Sequence, residues 1–359
     1  MAGPQQREVL LVSLGSTAGL RLADEQLCDA LRTAGADVRL VRAQPPPQLR
    51  TMALTDLAWA RAARAATRRA LGAAPSPRPA VIYSTTTAAL LWPLPGAVRF
   101  DACSSANRPG RHGLWQRPLE RRRMSGAPLL LPWSEGALEE CPGVAGAAAT
   151  ADARALVVPV AVAPSGQPPR ERDIAAVTYA ANPLKKGLDR VLAAWQSLRA
   201  GRDSPQAAGE ELLVAGTDAG ELRRAGIELP GGEEGVRLLG ALPTGEYRAL
   251  LRRARVFVCA PRREDYGVAQ LEALADGCML VSTPAPGPYV ALSLARALDP
   301  RLVGQDLGEG LRAALQEPLP GYAERAARAL EPFSPGALAR VVEGELLPRL
   351  LSGGDVTVS

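Results

Sequence analysis

Lysine, asparagine and histidine are almost absent from this chain. Lysine and arginine together number 42 among 359 residues, but only two of these are lysines, and the chain has two asparagines and one histidine. With a single histidine and no CxxC pair, a structural zinc site is not expected. Because the cysteines are scattered and odd in number, we expect free thiols buried as small apolar residues; they are Cys28, Cys103, Cys141, Cys259 and Cys278.

Long apolar runs are also missing. The longest, residues 155–163, is interrupted by Pro159 and is far too short to span a bilayer. No basic segment followed by an apolar stretch opens the chain, so a secretory leader is not expected. Apolar residues make up 47% and charged residues 22% of the sequence, which is ordinary for a protein with a sizeable core and argues against a disordered or collagen-like chain. We expect a cytoplasmic protein.

The few lysines and asparagines and the histidine fall in two short stretches. Asn182, Lys185 and Lys186 lie in one, and Asn107 and His112 lie in the other. Arginine, alanine, glycine and proline are abundant elsewhere, as a GC-rich coding sequence favours, so residues that escape this bias mark candidate functional positions. Chance is the alternative explanation, since two adjacent lysines count nearly as one event.

Strand and helix patterns alternate along the chain, which is typical of parallel α/β sheets. In the first half we predict strands at residues 7–14, 37–41, 80–84, 98–100, 129–132 and 155–160, and helices at 23–33 and 57–71. In the second half we predict strands at 175–180, 211–215, 236–239, 256–260 and 279–283, and helices at 187–198, at 245–253 with Thr244 as N-cap, and at 269–275.

The division into domains follows from a proline- and glycine-rich segment at residues 164–169, which is the best linker candidate. We predict two Rossmann-like domains, 1–164 and 165–333, with their ligands at the carboxyl edges of the strands, facing a cleft. Ser334 and Pro335 suit the N-cap and the first position of a last helix in the segment 334–359.

Charge is divided unevenly between the two halves. Residues 1–162 carry 19 arginines and 12 acidic residues, a net charge of +7, whereas the remainder carries 23 basic and 25 acidic residues, a net charge of −2. Segment 99–123 alone holds seven arginines and two acids. A solvated basic face is the plain interpretation, and contact with an anionic membrane surface or a phosphorylated substrate is the functional one. No motif or aromatic-studded basic sheet points to nucleic acid.

Two glutamates separated by seven residues form the most specific motif. Glu264 falls in a loop after a predicted strand, and Glu272 lies about one turn into the next helix. Gly267, Val268 and Ala269 open that helix, so their backbone N–H groups make an anion site. A carboxylate at Glu272 can accept two hydrogen bonds from a vicinal diol such as ribose, and Glu264 can do the same for sugar hydroxyls. Alternatively, the two glutamates are ordinary residues of a surface loop and a helix face.

The second motif places Lys185 and Lys186 where a helix begins, again after a strand and a loop that contains Asn182. Lysine neutralises phosphate as a point charge, without a fixed geometry. Two exposed lysines are disfavoured at a helix N-terminus by the helix dipole. A bound diphosphate would remove that conflict.

In order and spacing these motifs resemble the retaining GT-B glycosyltransferases, in particular the family 4 group with its E-x7-E signature. The resemblance covers nearly all of the second half and includes Lys-Lys-Gly-Leu-Asp at 185–189, Leu-Gly-Ala-Leu-Pro at 239–243 and Gly-Cys-Met-Leu-Val-Ser at 277–282. In the first half it is limited to the opening strand, glycine loop and helix and to Pro-Trp-Ser at 132–134. It implies an α/β GT-B fold of two Rossmann-like domains, with a C-terminal helix that crosses back to pack on the N-terminal domain.

The resemblance also implies a role for each matching residue. Glu272 would hold the nucleotide ribose, Glu264 the hydroxyls of the donor sugar, and Lys186 the diphosphate as it leaves. The other donor-binding residues that it implies are Asn182, Lys185, Gly240, Leu242, Tyr266, Gly267, Val268, Ala269 and, from the N-terminal domain, Gly15. Sugar transfer would retain the anomeric configuration and need no metal or cofactor, because lysine and a helix dipole supply the charge.

The sequence departs from the family pattern near the phosphate lysine. Ala180 and Ala181 stand where an arginine is usual, so the diphosphate would depend on Lys185, Arg262 or Arg263.

A second departure concerns the histidine that many members carry after the fourth strand. Phe100 and Asp101 occupy that region, and Asp101 is then the nearest polar candidate for a catalytic contact with the sugar. Asn107, Arg111 and His112 are candidates for the acceptor side, although His112 could instead cap a loop. The implied partners are a nucleotide sugar and an unidentified acceptor that is anionic or membrane-associated, with peripheral contact between the basic half and the inner membrane face.

Other functions fit less well. Residues 15–19 are not a GxGxxG loop and residues 41–44 hold no acid for a dinucleotide ribose, which argues against an oxidoreductase. A pyridoxal enzyme that uses Lys185 or Lys186 has no other support. The open alternatives are a GT-B protein that binds a nucleotide sugar without transferring it, and an epimerase or hydrolase of the same architecture.

Overall fold

The computed structural model describes residues 8–47, 49–73, 78–108, 110–141, 154–200, 210–229 and 235–352. The chain divides into two compact units: unit 1 comprises Met1–Ala161 and Pro335–Ser359, and unit 2 comprises Val162–Ser334. The division therefore comes after Ala161 and before Pro335, whereas the sequence predicts boundaries after residues 164 and 333. Within the described residues, each unit holds a five-stranded sheet.

The sheet of unit 1 has the strand order β2-β1-β3-β4-β5, and all its strands are parallel. The strands are β1 Val9–Ser13, β2 Val38–Arg42, β3 Ala80–Tyr83, β4 Ala97–Phe100 and β5 Leu130–Pro132. All except β2 are buried along their whole length, as is usual where helices cover both faces of a parallel sheet.

The helices of unit 1 that precede residue 141 are Ala18–Thr33, Met52–Gly72, Thr86–Ala89, Ser104–Asn107, Gln116–Ser125 and Glu135–Glu139, with a 3-10 turn at Gly110–Gly113. The first helix begins at Ala18 rather than at residue 23. The Thr17 side chain accepts a hydrogen bond from the Leu20 N–H (3.2 Å), and this cap starts the helix before its apolar periodicity becomes visible in the sequence.

The end of the described chain also belongs to unit 1. Helix Pro335–Val341, the π turn Val342–Leu346 and helix Leu347–Ser352 follow one another. Val342 and Leu346 are completely buried in a cluster that includes residues of β1. The predicted return of the C-terminal helix to the N-terminal domain is confirmed.

The strand predicted at 155–160 is wrong. Ala155 makes an isolated parallel bridge with Leu130, and the N–H groups of Leu156 and Val158 donate to the carbonyls of Leu130 and Pro132 (2.9 Å each). Residues 156–160 therefore run beside β5 and bond to it without forming a regular strand.

The prediction of five free thiols is also wrong. Cys103, which follows β4, and Cys141, which follows helix Glu135–Glu139, form a disulfide with their Cα atoms 5.7 Å apart. Cys28, Cys259 and Cys278 are free and buried, as expected. Cysteine spacing along the chain gives no information about distance across the fold, and it is that distance that decides pairing.

The sheet of unit 2 has the strand order β10-β9-β6-β7-β8, again all parallel. The strands are β6 Ile174–Tyr179, β7 Leu212–Ala215, β8 Val236–Gly240, β9 Ala254–Cys259 and β10 Met279–Ser282. The chain builds outward from β6 to β8 and then returns to the other side of β6 with β9. The loops after β6 and β9 therefore diverge at a switch point, which is where open α/β sheets bind ligands.

The helices of unit 2 within the described residues are Leu188–Ala200, Ala219–Arg224, Thr244–Arg253, Val268–Ala275, Val290–Leu298, Leu307–Gln316 and Tyr322–Ala329. The prediction of Thr244 as an N-cap is wrong: Thr244 is the first helical residue, and Pro243 takes the N-cap position without a side-chain hydrogen bond. In the part of the chain that the structure describes, no helix is long and apolar enough to cross a bilayer.

Gly187, between the loop after β6 and the following helix, generates a stability prediction. It has φ +65, and a Cβ there would lie 1.8 Å from the Ala260 carbonyl oxygen, so alanine would suffer both backbone strain and steric overlap. We expect Gly187→Ala to lower the free energy of unfolding by about 3 kcal/mol or more, measured by urea denaturation.

Gly240 and Gly245 are matched controls for this substitution. Gly240 has φ +65 but nothing within 4 Å of a Cβ, and Gly245, in a helix, has neither the positive φ nor a close neighbour. Gly240→Ala should lower stability by about 1 kcal/mol, whereas Gly245→Ala should raise it by up to about 1 kcal/mol. Equal losses from Gly187→Ala and Gly240→Ala would contradict the overlap with Ala260.

Candidate functional site

Three loops lie side by side at the carboxyl edge of the unit 2 sheet. They follow β6, β9 and β10 and comprise residues 180–187, 260–267 and 283–289. Because β6 pairs with β9 and β9 pairs with β10 in parallel, all three loops leave the sheet at the same edge. The first two loops carry the predicted lysines and Glu264.

Hydrogen bonds fix the first loop to the second. The Arg262 N–H donates to the Lys185 carbonyl (3.0 Å). The Arg262 side chain donates to the Leu184 carbonyl (2.6 Å) and to both carboxylate oxygens of Asp189 (2.9 and 2.8 Å). These hydrogen bonds from Arg262 hold the pKa of Asp189 below its ordinary value. The lysine loop therefore has a fixed position relative to β9.

The third loop fixes the backbone of Glu264. The Glu264 N–H donates to the Pro286 carbonyl (3.0 Å), and the Tyr289 N–H donates to the Glu264 carbonyl (3.4 Å). Gly287 has φ +109, and a Cβ there would lie 2.2 Å from the Glu264 carbonyl oxygen, so this close approach requires glycine. The main chain at Glu264 is thus positioned independently of its side chain.

The Glu264 carboxylate is buried, with the residue 7% exposed, and it has two donors. Its Oε2 accepts from Lys186 Nζ at 2.6 Å and from Gln270 Nε2 at 3.1 Å. Two residues that the sequence predicts as catalytic therefore form one ion pair. Such partners are needed because an uncompensated charge is strongly disfavoured away from water.

Lys185 and Asn182 complete the lysine loop. Lys185 Nζ lies 3.7 Å from Asp265 Oδ2, and Arg263 Nε donates to Asp265 Oδ1 (2.7 Å). Asn182 Oδ1 accepts from the Lys185 N–H (3.0 Å). Both lysines are thus paired with acids of the second loop, and the helix begins only at Leu188. These carboxylates already relieve the conflict with the helix dipole that the sequence suggests.

Helix Val268–Ala275 opens without a side-chain cap. Its N-cap is Gly267, which has φ +94 and no side chain to offer the first turn. Val268 and Ala269 are partly exposed, while Tyr266 and Gly267 are buried. Gln270, in the same first turn, donates to Glu264, so the uncapped amides lie near the ion pair and suit an anion.

Glu272 has a different cation. Its Oε1 lies 3.5 Å from Arg248 Nη1, and Arg248 Nε donates to Asp276 Oδ2 (2.6 Å). Burial raises the pKa of the Glu272 carboxyl; Arg248 lowers it by less, and Asp276 raises it further. The two glutamates of the motif are therefore held in separate ion pairs rather than in one cluster.

Two tyrosines lie close to Glu272. The rings of Tyr179 and Tyr247 have centroids 5.3 Å apart. The Tyr247 hydroxyl is buried and has no hydrogen-bond partner within the described chain. Burial raises its pKa well above the ordinary value, and the charge of Glu272 adds to this rise. Burial therefore keeps this hydroxyl neutral.

Open backbone lies beyond β7 and β8. Gly240, with φ +65 and nothing within 4 Å of a Cβ, accepts from the Gly216 N–H (2.7 Å) and donates to the Thr217 carbonyl (3.1 Å). Thr217 Oγ1 is buried and, among the described residues, has no hydrogen-bond partner. Leu242 is partly exposed two residues further on. The sequence-predicted Gly240 thus bonds to the backbone of Thr217, whose own hydroxyl is buried.

Sequence reasoning missed Gln270, Arg248 and Asp276. Gln270 stands inside the E-x7-E motif, and its place in the first turn of the helix could have indicated a contact with the preceding loop. Arg248 and Asp276 gave no signal, because they are 28 positions apart and meet only where helix Thr244–Arg253 packs on helix Val268–Ala275.

The predicted residues of unit 1 form two groups. Gly15 lies in the loop after β1 and has φ +57. Asp101, Asn107, Arg111 and His112 lie on one segment after β4, where the last two are exposed and the first two are partly so. The structure thus places the acceptor candidates in unit 1 and the donor candidates, Gly15 excepted, in unit 2.

Within the described chain, no group of three or more histidine, cysteine, aspartate or glutamate side chains could hold a metal ion. Independence from metals and cofactors stays a prediction, because a metal ion can also arrive bound to a phosphorylated ligand.

Known proteins provide an independent comparison. Residues 171–314, which contain all five strands of unit 2, match the family described as Glycosyl transferases group 1. The match lies within unit 2. No curated protein matches the sequence significantly.

Solved glycosyltransferase structures resemble the whole chain. WaaG, a glycosyltransferase involved in lipopolysaccharide biosynthesis, has a TM-score of 0.66 and 18% identity, covering 94% of this chain and 100% of that one. Sucrose-phosphate synthase from Thermosynechococcus elongatus has a TM-score of 0.62 and 17% identity, covering 98% and 100%. The α,α-trehalose 6-phosphate synthase from Burkholderia multivorans has a TM-score of 0.65 and 12% identity, covering 97% and 99%. The predicted GT-B fold is confirmed, and fold and family together support a glycosyltransferase.

The buried Glu272 carboxyl generates a prediction about stability. Since burial raises its pKa, the folded protein holds the proton more tightly than the unfolded chain, and stability falls as the pH rises from the ordinary glutamate pKa to the raised one. Glu272→Gln removes the charge with little change in shape, so we expect it to raise the midpoint of thermal unfolding at neutral pH.

The same comparison well below the ordinary glutamate pKa should show no difference, because the wild-type carboxyl is then neutral as well. Glu246→Gln, at an exposed site on a neighbouring helix, should change the midpoint at neither pH. A lower midpoint for Glu272→Gln at neutral pH would mean that the Arg248 ion pair outweighs burial.

Proposed function

We propose that this chain is a retaining glycosyltransferase. It moves a sugar from a nucleotide-diphosphate sugar to an anionic or membrane-associated acceptor, and it does so without a metal ion. The observation that carries the proposal is the ion pair of Lys186 and Glu264, 2.6 Å apart, at the switch point of unit 2. The family match of residues 171–314 supports the same class of reaction.

The ion pair has the chemistry that the donor requires. A nucleotide sugar joins its anomeric carbon directly to a phosphate oxygen, so its site needs a cation for phosphate and an acceptor for sugar hydroxyls close together. Lys186 and Glu264 meet this requirement, with side chains 22% and 9% exposed. When the donor binds, we expect Lys186 to turn toward the phosphate while Gln270 keeps Glu264 in place.

Departure of the diphosphate is the step that most needs the protein's charge, because transfer passes through an oxocarbenium-like state. Lys186 and the uncapped first amides of helix Val268–Ala275 are the groups placed to stabilise the leaving anion. Asn182 keeps the lysine loop in shape through the Lys185 N–H (3.0 Å). The protein then contributes position and charge rather than a covalent nucleophile.

The second cation for the diphosphate replaces the arginine that the family usually carries near Ala180. Arg262 is a poor substitute, because the Asp189 carboxylate already holds both of its terminal nitrogens. Lys185 is the better one: its side chain is 51% exposed, and its ion pair with Asp265 is long, at 3.7 Å. We therefore assign Lys185 to the diphosphate.

The nucleoside is proposed to bind along Glu272 and β8. Glu272 would accept from the ribose hydroxyls while Arg248, 3.5 Å away, offsets part of the rise that burial causes in its pKa. The open backbone at Gly240 and Leu242 would meet the base.

The acceptor is proposed to bind unit 1, on the basic segment after β4. Asp101 would accept a hydrogen bond from a sugar hydroxyl, and Asn107, Arg111 and His112 would face the acceptor's anionic group. Among the structural neighbours, WaaG is involved in lipopolysaccharide biosynthesis, and the two synthases are named for phosphorylated sugars. These names support an anionic acceptor. We further propose a cytoplasmic location at the inner face of the membrane.

Nucleotide binding is the first test of the donor site. Calorimetry with UDP, GDP, ADP and dTDP should show binding of one nucleotide, and Glu272→Ala should weaken it by about 10- to 100-fold because a charged hydrogen-bond acceptor is lost. Glu246→Gln, on the exposed face of the neighbouring helix, is the matched control and should leave the affinity unchanged. Absence of binding for all four nucleotides would overturn the proposed function.

Turnover is the second test, and it separates transfer from binding alone. Lys186→Gln and Glu264→Gln should each lower kcat for slow donor hydrolysis by about 10²- to 10³-fold, with a smaller change in nucleotide affinity, because their contacts strengthen as the diphosphate leaves. Lys185→Gln, the same substitution at the more exposed lysine, should lower kcat for donor hydrolysis by about tenfold.

Five outcomes would contradict the proposal in different ways. Nucleotide binding without any donor hydrolysis would favour the non-catalytic alternative, whereas an epimerised donor would favour an epimerase, and donor hydrolysis that is fast and that no acceptor diverts would favour a hydrolase. Loss of activity in EDTA would refute independence from metal, and an inverted anomeric signal in the NMR spectrum of the product would refute retention.

A further inference from the structure

Large apolar side chains are exposed mainly at one place in the described chain. Leu49, Met52, Leu54 and Leu114 are 43%, 53%, 49% and 67% exposed, and all four belong to unit 1; the only other such residue in the described part is Leu184, in unit 2. Exposed leucines are normal when scattered singly, but a group of them marks an interaction surface. We call these four residues the apolar tip.

The residues of the apolar tip lie close together in the structure. Met52 and Asp56 lie one turn apart on the same helix face, and the Asp56 carboxylate accepts from Arg108 Nε (2.8 Å) and from Gln116 Nε2. Leu114 is two residues from Gln116, so these bonds bring it to the start of helix Met52–Gly72.

The remaining two members of the apolar tip are local to the same helix. The Leu49 N–H donates to Thr55 Oγ1 (3.3 Å), which folds the preceding loop back over the first turn. Leu54 lies in that turn. The 3-10 turn Gly110–Gly113 also contacts helix Met52–Gly72, so the whole tip occupies one end of the unit.

The exposed charged side chains of the two segments around the apolar tip are positive. Segments 49–72 and 104–125 together contain eleven arginines and two acids, Asp56 and Glu120. Both acids are buried: Asp56 is paired with Arg108, and Glu120 accepts from the N–H and the hydroxyl of Ser104 (2.8 Å each). The exposed arginines of the two segments include Arg50, Arg61, Arg68, Arg111, Arg121 and Arg122.

We propose that the apolar tip and its arginines dock unit 1 on an anionic lipid bilayer. A bilayer offers anionic phosphates above hydrocarbon, and this matches apolar side chains that project among arginines. Single-stranded nucleic acid would require exposed aromatic rings for base stacking, whereas the tip exposes leucine and methionine. The proposal goes beyond sugar transfer and does not depend on it, because docking needs no nucleotide.

Vesicle co-sedimentation of the full chain tests the docking surface. Wild type should bind phosphatidylcholine vesicles that contain phosphatidylglycerol, and bind far less to phosphatidylcholine alone. The double variant Met52→Ser, Leu114→Ser should lose at least about tenfold in partitioning. The double variant Arg50→Gln, Arg121→Gln should partition to the vesicles about fivefold less for each arginine removed, and its vesicle binding should depend less on the salt concentration. All four sites are exposed, so circular dichroism and the unfolding midpoint should match wild type.

Matched controls come from unit 2. Leu184→Ser removes the exposed leucine outside the apolar tip, and Arg296→Gln with Arg312→Gln removes two exposed arginines there; none should change partitioning. Wild-type-like binding by the leucine and methionine variant would overturn the proposal, as would equal losses in the controls. Two results together would identify a general polyanion surface and would also overturn the proposal. The first is heparin binding that is as tight as vesicle binding and is lost when the arginines are substituted. The second is vesicle binding that does not change when the leucine and the methionine are substituted.

Discussion

The ion pair of Lys186 and Glu264 joins the two loops that diverge at the switch point of unit 2. It forms because β6 and β9 are parallel neighbours, which delivers both residues to one edge of the sheet. The approach of the loops requires glycine at 187, where any Cβ would overlap the Ala260 carbonyl. The groups that the proposed reaction uses on the phosphate side are near this pair in the chain: the helix amides begin at Val268, and Lys185 precedes Lys186.

Arg248 organises the other half of the candidate site. Its guanidinium donates hydrogen bonds to the Asp276 carboxylate and to the Ala163 carbonyl (2.7 Å), and it lies beside Glu272. Ser165 donates to the same Asp276 from its N–H (2.7 Å) and its hydroxyl (2.9 Å). The opening segment of unit 2 and the helix that carries Glu272 therefore share one polar network, so a ligand that changes the charge at Glu272 acts on both.

The short apolar runs between helical segments predict the strands of both units well. Buried parallel strands need such continuous apolar runs whatever their neighbours are. Failures occur where a hydrogen bond decides the boundary. Thr17 starts its helix before the apolar periodicity begins, and residues 156 and 158 bond to β5 without forming the strand that the apolar run around them predicts. The disulfide of Cys103 and Cys141 is invisible in the sequence for a similar reason, since it depends on a distance across the fold.

The sequence alone determined the fold class and the motif residues, because residue type and local spacing carry that information. It also indicated that Lys186 and Glu264 serve one ligand. Only the tertiary structure decided that they pair directly while Glu272 pairs with Arg248, and that Arg262 is committed to Asp189. Partner choice among charges is set by distances of a few ångströms between loops from different strands. The order of residues along the chain does not encode those distances; strand order and helix packing do.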